Sequence, residues 1–475
     1  MQSKFKSIQN DQLFLLPPTI GDFILEGHLA RVISEIVYTL DTVKIEERYS
    51  YQGQKSYHPK LLIKVWIYGY ATGTLSGRKI ASKCETDTAW MFLTGMHRPD
   101  FRTINDFRKD NIKSFESYFV AVIKLCKELG MAKVGKVALD GTKIRANASS
   151  GKMMDNEMYV QWLGKVEDEL AALTKEADRI NEKEEKELKD QRGDEIPKEI
   201  RKKETLRKKI QEAIEELKNR EGGKTNSTDE DAKLIKSAGQ FKPNYNCQGA
   251  VTEDGILVGA YVSTNASDKE QLMPLIDQVE QNTGDRVDII LADSGYSSYA
   301  NYEWLDQQKK TAYIPDQEHE RRDKLKAEPY DKSNFIYNAQ ADNYVCPQGK
   351  ELIFSGISFN RTRKQKLRIY KGTQCAKCPE KMNCTSASAR QINQDFREPL
   401  RERVRNLLDS QDGKRVYRKR MSMIEPIWGN IKFNKLITMF HLRGLDKVNG
   451  EWMLIAIANN IQKLMVRKEK LKLAI

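Results

Sequence analysis

Two aspartates each close a short apolar run and lead into turn residues. Asp140 follows Val134-Gly-Lys-Val-Ala-Leu and precedes Gly141-Thr142; Asp293 follows Val287-Asp-Ile-Ile-Leu-Ala and precedes Ser294-Gly295. A carboxylate at the end of a strand escapes the apolar body yet stands on a rigid support. Two of them on neighbouring strands could hold a hard divalent cation, because Mg²⁺ takes oxygen ligands in near-octahedral geometry. Asp-Gly and Asp-Ser-Gly are also ordinary strand-ending turns, so spacing alone leaves both readings open. Glu425 is the lone acid between Tyr417 and Lys432, a helix-like stretch rich in Arg and Lys. Seven positions on, at about 100° per residue, Lys432 falls nearly under it on one helical face. An acid so surrounded fits a metal ligand whose basic neighbours grip phosphates, or else a surface Glu paired with Lys and Arg.

A second chemistry is written in cysteine. Cys346-Pro-x-Gly is followed by Cys375-x₂-Cys378-x₅-Cys384. A close Cys-x₂-Cys pair with two further Cys suits a tetrahedral structural Zn²⁺. In a reducing compartment disulfides are disfavoured, which leaves zinc or free thiols. The segment is poor in apolar residues, so a metal would supply much of its folding energy. Cys84, Cys126 and Cys247 read as small buried hydrophobes, and the five His are scattered without metal-ligand spacing.

The elements that must position these groups follow from periodicity. Residues 20–130 read as helical, with Pro59 opening an apolar helix and Thr103, three residues before Asp106, as a candidate N-cap. Basic residues there, including Arg78 and Arg108, suit a helix-turn-helix-like DNA reader or a merely solvated helical surface. From residue 134 strand-like runs take over: Val134–Leu139, Tyr245–Thr252, Ile256–Ser263, Val287–Ala292 and Thr311–Pro315, with a hairpin turn at Glu253-Asp-Gly and a helix from Asp268 to about Asn282. The expected fold class is α/β, a mixed sheet with helices. Heptad-spaced Val166, Leu170, Leu173, Ala177 and Ile180, then Leu206, Ile210, Ala213 and Leu217, flank Gly193 and Pro197. That pattern predicts an antiparallel helical hairpin inserted into the sheet.

In this order and context, Asp140-Gly-Thr-Lys, Asp293-Ser-Gly-Tyr and Tyr417-x₂-Arg420-x₄-Glu425-x₆-Lys432 resemble the three acidic motifs of bacterial insertion-sequence transposases of the DDE class. Nearly the whole chain resembles insertion-sequence group 1182, including the stretch from Ser76-Gly-Arg-Lys to Phe107-Arg108, the Cys-bearing insertion and the helix from Trp452 to Leu464. One departure is that four residues, not the usual three, separate Arg420 from Glu425, and Pro426 should kink or start a helix there. The resemblance implies an RNase H-like core with Asp140, Asp293 and Glu425 gathered around two Mg²⁺ (or Mn²⁺) ions. It implies strand cleavage by water and strand transfer by a freed 3′-hydroxyl. Tyr417, Arg420 and Lys432 would contact DNA phosphates; Trp428 would stack on an unpaired base or sit in the core. The implied organisation is an N-terminal helical DNA-binding domain (1–133), an RNase H-like core (134–155, 222–320 and 396–475), a helical hairpin (156–221) and a Cys-rich zinc insertion (321–395).

Composition sets the partners. The 475 residues carry 80 Lys and Arg against 67 Asp and Glu, a net of +13. No run is apolar enough to cross a membrane. The N-terminus has too short an apolar stretch for a signal peptide. The expectation is a cytoplasmic, nucleoid-associated protein that takes double-stranded DNA, both terminal inverted repeats and target, and works as a homo-oligomer on it. The alternatives are an RNase H-like nuclease or domesticated relative that cuts without joining, and a zinc-containing DNA-binding regulator. Charge is uneven: residues 155–221 hold 16 Lys and Arg against 20 Asp and Glu, whereas 401–475 hold 17 against 7. The C-terminal quarter, not the hairpin, is therefore the expected phosphate-gripping surface.

Overall fold

The computed structural model describes residues 18–49, 55–187, 198–219, 223–237, 239–321, 324, 327–361 and 365–473. Seven helices open the chain: α1 (Leu29–Thr39), α2 (Val43–Glu46), α3 (Pro59–Thr72), α4 (Gly77–Thr86), α5 (Thr88–Thr94), α6 (Phe101–Asn111) and α7 (Ser114–Glu128). Pro59 takes the first turn of α3, where its missing N–H costs nothing, and Gly73 ends that helix in the left-handed region at φ 72°. Nearly all of α3 is buried, which places it at the centre of the helical group. The N-cap of α6 is Asp100 rather than Thr103: its carboxylate accepts from the backbone N–H groups of Arg102 and Thr103, and an ionised acceptor satisfies those donors better than a hydroxyl.

A six-stranded sheet follows, built from β1 (Lys136–Arg145), β4 (Lys233–Ser237), β5 (Gln240–Thr252), β6 (Leu257–Ser263), β7 (Ile289–Leu291) and β8 (Thr311–Tyr313). The short strands β2 (Met153–Met154) and β3 (Thr225–Asn226) pair apart from it. The thirteen-residue β5 pairs antiparallel with β1 along one edge; its other edge takes β4 and then β6. β1, β7 and β8 run parallel. β1 does not stop at Asp140, because β5 is long enough to pair with it out to Arg145.

Helices α8 (Asn156–Glu187) and α9 (Lys198–Asn219) pack together as the heptads predict. Their contact centres on Tyr159, Val166, Ile210, Ala213, Ile214 and Leu217, while Leu170 and Leu173 are only half-buried. Gly193 and Pro197 lie outside the described residues. Helix α10 (Leu272–Thr283) follows β6, and α11 (Tyr299–Gln307) follows β7. A second sheet of β9 (Ile336–Asn338), β10 (Asn343–Val345), β11 (Glu351–Asn360), β12 (Gln365–Gly372) and β13 (Gln391–Asp395) carries the short helix α12 (Lys381–Cys384) and its own small core around Tyr344 and Tyr370.

The chain returns through α13 (Glu398–Asp409), α14 (Gln411–Gly429) and α15 (Leu445–Leu473). Pro426 neither starts nor ends α14; the helix runs through it and passes into a π-helical turn, Asn430–Asn434. Such a turn absorbs a local misfit in the ladder next to functional residues. α15 is buried on nearly every face from Glu451 to Ile461, packed between α3, α7 and β6.

A buried polar network ties this last helix to the first domain. Glu451, with no exposed surface, accepts from the Tyr70 hydroxyl at 2.7 Å and from the His441 and Leu442 N–H groups. Arg108 donates to the same Tyr70 hydroxyl at 2.7 Å and lies 3.9 Å from the Trp66 ring centroid. Burial raises the Glu451 carboxyl, but the His441 imidazole, the Arg108 charge and the Tyr70 hydroxyl outweigh it and hold it below its ordinary value. Deleting one member of a buried charge network costs about 3–5 kcal/mol. Glu451→Ala should therefore lower unfolding stability by that order in urea, and an unchanged midpoint would remove the network's role.

Candidate active site

The two aspartates are set side by side by sheet register. The last parallel pair of β1 with β7 is Ala138 with Leu291, so Asp140 and Asp293 each stand two residues beyond it on adjacent strands about 4.8 Å apart. Asp293 leaves its strand to cap a short 3₁₀ turn, Ser294–Tyr296, accepting from the Gly295 N–H at 2.9 Å. Two carboxylates this close repel, and the structure answers with Arg420 from α14. Its Nη2 lies 2.9 Å from Asp140 Oδ1 and 3.8 Å from Asp293 Oδ2. The Trp428 indole, two helical turns further on, donates to Asp140 Oδ2 at 2.8 Å. Both oxygens of Asp140 are thus engaged.

Burial raises the Asp140 carboxyl above its ordinary value; Asp293 adds to this, while Arg420 and the Trp428 hydrogen bond oppose it. Lys432, in the π turn, is half-buried, and burial lowers its ammonium while Asp140 and the Cys247 thiol pull it back. Gly249, opposite Asp140 on β5, has no room for a Cβ, which would lie 2.5 Å from the Trp428 ring. A glycine is what lets the indole reach the carboxylate.

The structure thus brings together Asp140, Asp293, Arg420, Trp428 and Lys432. Glu425 lies on the same helix as Arg420 and Trp428 but is exposed, and among the described residues no set of three or more His, Cys, Asp or Glu side chains is disposed to hold a metal ion. Tyr417 is half-buried against the main core. Arg78 is exposed, 4.8 Å from the Phe101 ring centroid. Arg108 is corrected: 5 % exposed and held by Tyr70 and Trp66, it serves the core and has no face for DNA. Much of the positive charge near residues 401–420 is also internally engaged, since Arg401, Arg403, Arg405 and Lys419 pair with Glu398, Asp306, Asp316 and Glu253.

Sequence reasoning missed a polar layer beside the site. Asp268 accepts from Asn246 Nδ2 and Gln248 Nε2, both at 2.7 Å, and lies 3.4 Å from the Lys143 ammonium. Gln248 in turn accepts from the Tyr296 hydroxyl, which follows Asp293 by three residues. A Cβ on Gly141 would lie 2.6 Å from Asp268, so this layer presses directly on the motif. The available sign was Asn246 and Gln248, two amides alternating on one face of an otherwise apolar strand. Lys143 also stands within the first motif itself.

The four cysteines line one small cavity of about 30 Å³ with Phe335, Leu352 and Arg390. Cys346 and Cys375 sulfurs accept from the backbone N–H groups of Lys350 and Arg390 at 3.3 and 3.4 Å. Burial pushes the Cys384 thiol up and Arg390 opposes it, while the three other sulfurs are near enough to add to the rise.

Two family models match the chain. One, described as a transposase DDE domain, covers residues 345–465 and so includes Glu425 and Lys432. The other, described as a transposase domain of the DUF772 type, covers residues 18–110, the helical N-terminal region. No curated protein and no solved structure matches.

Because its folded value is raised, the ionised Asp140 costs stability that the protonated form does not. The melting temperature of Asp140→Asn, measured without divalent ions, should gain on that of the parent as pH rises from about 4, the ordinary aspartate value, toward neutrality. A difference flat across that range would show that Asp140 is not perturbed.

Proposed function

We propose, for a chain whose two domain matches support an insertion-sequence DDE transposase, that it binds the terminal inverted repeats of its element and carries out metal-dependent strand cleavage and strand transfer. The observation that carries this reading is the pair Asp140 and Asp293, level on adjacent parallel strands and bridged by Arg420. A guanidinium between two carboxylates marks a place that demands positive charge, and an all-oxygen donor set suits Mg²⁺ or Mn²⁺. Bound divalent ions would generate the oxygen nucleophile and stabilise the leaving oxygen of an in-line displacement.

The chain's own groups do the rest. Asp140 and Asp293 would hold the ions, and Glu425, exposed on α14 and not gathered with them, would have to swing in as the third acid. Trp428 fixes the orientation of the Asp140 carboxylate through its indole N–H and is too buried to stack on a base. Arg420 neutralises the aspartates, and its guanidinium would also contact a phosphate of the bound strand. Lys432 offers its half-buried ammonium to a phosphate beside Asp140. The mixed sheet supports an RNase H-like core. The four cysteines line one cavity although no three of them are disposed as a ligand set, and a structural Zn²⁺ held there would tie together β10, the turn after β12 and α12.

An assay with end-sequence duplexes tests the reading. Mg²⁺- or Mn²⁺-dependent cleavage, and joining of pre-cut ends to a target, should fall by a factor of about 10² or more in Asp140→Asn and Glu425→Gln; metal-dependent cleavage that survives both would sink it. Cleavage without joining would instead select the nuclease. Chelation of a purified, zinc-loaded chain, or Cys378→Ser, should unfold the β9–β13 sheet while the catalytic sheet stays folded, read by hydrogen exchange over residues 336–395.

A further inference from the structure

Both elements of the candidate active site run out into one basic cleft that the site itself does not use. Beyond Asp140, β1 continues to Arg145, whose backbone bridges the segment that follows the π turn after α14. The Arg145 N–H donates to the Thr438 carbonyl at 3.1 Å, and the Phe440 N–H donates to the Arg145 carbonyl at 2.9 Å. Around this bridge lies a cleft of about 520 Å³, walled by Arg145, Asn147, Ser149, Lys152, Lys242 and Arg443 among others. Its walls are tied together: Asn147 Nδ2 donates to the His441 carbonyl, Arg443 Nε to the Asn147 carbonyl, and the Ala146 N–H to the Pro243 carbonyl, all at 3.0 Å.

No carboxylate lines the cleft, and none of its four cations makes an ion pair among the described residues. Asp229, an acid behind it, is buried, accepts from the Tyr245 hydroxyl and the Gly444 N–H, and feels the Arg443 charge without forming an ion pair with it. Four cations without an ion-pair partner, three of them exposed, interleave with amide and hydroxyl groups on a braced wall, a set of groups suited to an anion. Arg145 stands five residues beyond Asp140 on β1, about 17 Å along the strand at the usual rise, and the odd spacing turns its side chain to the sheet face opposite Asp140. An open cleft set that far from the aspartates suits an extended polyanion that runs on past the reacting position, and a nucleic-acid backbone carries its charge in that way.

We infer that this cleft is an anchoring site for the duplex DNA backbone, gripping phosphates remote from the strand end held at Asp140 and Asp293. The inference rests on the transposase reading and adds a binding surface to it. The cleft holds register and carries no base readout, since its groups are those that meet phosphates.

The test is the salt dependence of duplex affinity of the full chain, by fluorescence anisotropy on an end-sequence DNA. Each phosphate contact contributes about 0.9 to the slope of log K against log salt. Combined Arg145→Gln, Lys242→Gln and Arg443→Gln should flatten the slope by about 2–3 and weaken binding equally on unrelated duplex. Arg145→Lys with Arg443→Lys should keep the slope. An unchanged slope in the neutral variant overturns the inference, as does an equal loss in the charge-preserving one. Inorganic phosphate that binds the parent but not the neutral variant, with the DNA slope intact, would make the cleft a small-anion site and also overturn it. Metal-dependent cleavage by the parent separates the two claims: cleavage with an unchanged slope sinks the cleft alone, and a parent that binds no DNA sinks both.

Discussion

Two carboxylates on adjacent strands, level with one another at the end of a parallel pair, are unstable without positive charge between them. The Arg420 bridge to Asp140 and Asp293 supplies it, and the geometry of the C-terminal part follows from that need. To deliver the guanidinium, α14 must lie across β1 and β5. With the helix so placed, Trp428 reaches the second oxygen of Asp140, and Gly249 must be a glycine to let it pass. The π turn then carries Lys432 to the same carboxylate's neighbourhood. An interaction spanning 280 residues of sequence thus fixes the site, which requires the intervening insertions to fold without disturbing the sheet.

The same logic operates on the far side of the chain. α15 is buried on nearly every face from Glu451 to Ile461 and needs partners on every side there, which α3, α7 and β6 provide. Apolar packing alone does not choose a unique angle, and the Glu451–Tyr70–Arg108 network supplies directional contacts that do. The helical N-terminal region is therefore fused to the sheet through α15.

The insertions are built on different principles from the body that carries them. The α8–α9 hairpin buries a narrow seam near its base and exposes charge along the rest, with a slight excess of acid over base. The β9–β13 sheet has a core of a few aromatic and aliphatic side chains, and its cysteines gather on one cavity beside it. A core so small is where a metal cross-link contributes most.

Local pattern determined a good deal. Pro59, the heptads of the hairpin, the apolar strand runs and the chain order of Asp140, Asp293 and Glu425 were all legible, because helix starts, periodicity and strand-ending turns are written within a few residues. Tertiary structure decided the rest. Arg108 reads as a surface cation and is buried, because Glu451, 343 positions later, compensates it through Tyr70. Pro426 reads as a helix break and lies within a helix, because the misfit passes into the π turn beyond it. Asp268 and its amides escaped notice, since no short motif joins residues 143, 246, 248, 268 and 296. The basic tail of the composition was real, but pairing with acids from other elements consumed much of it. Among the described residues, only one cation of that tail, Arg443, lines the basic cleft, beside Arg145, Lys152 and Lys242 from earlier segments. Charge and periodicity are properties of a segment, whereas who neutralises whom depends on register and packing, and only the folded chain fixes those.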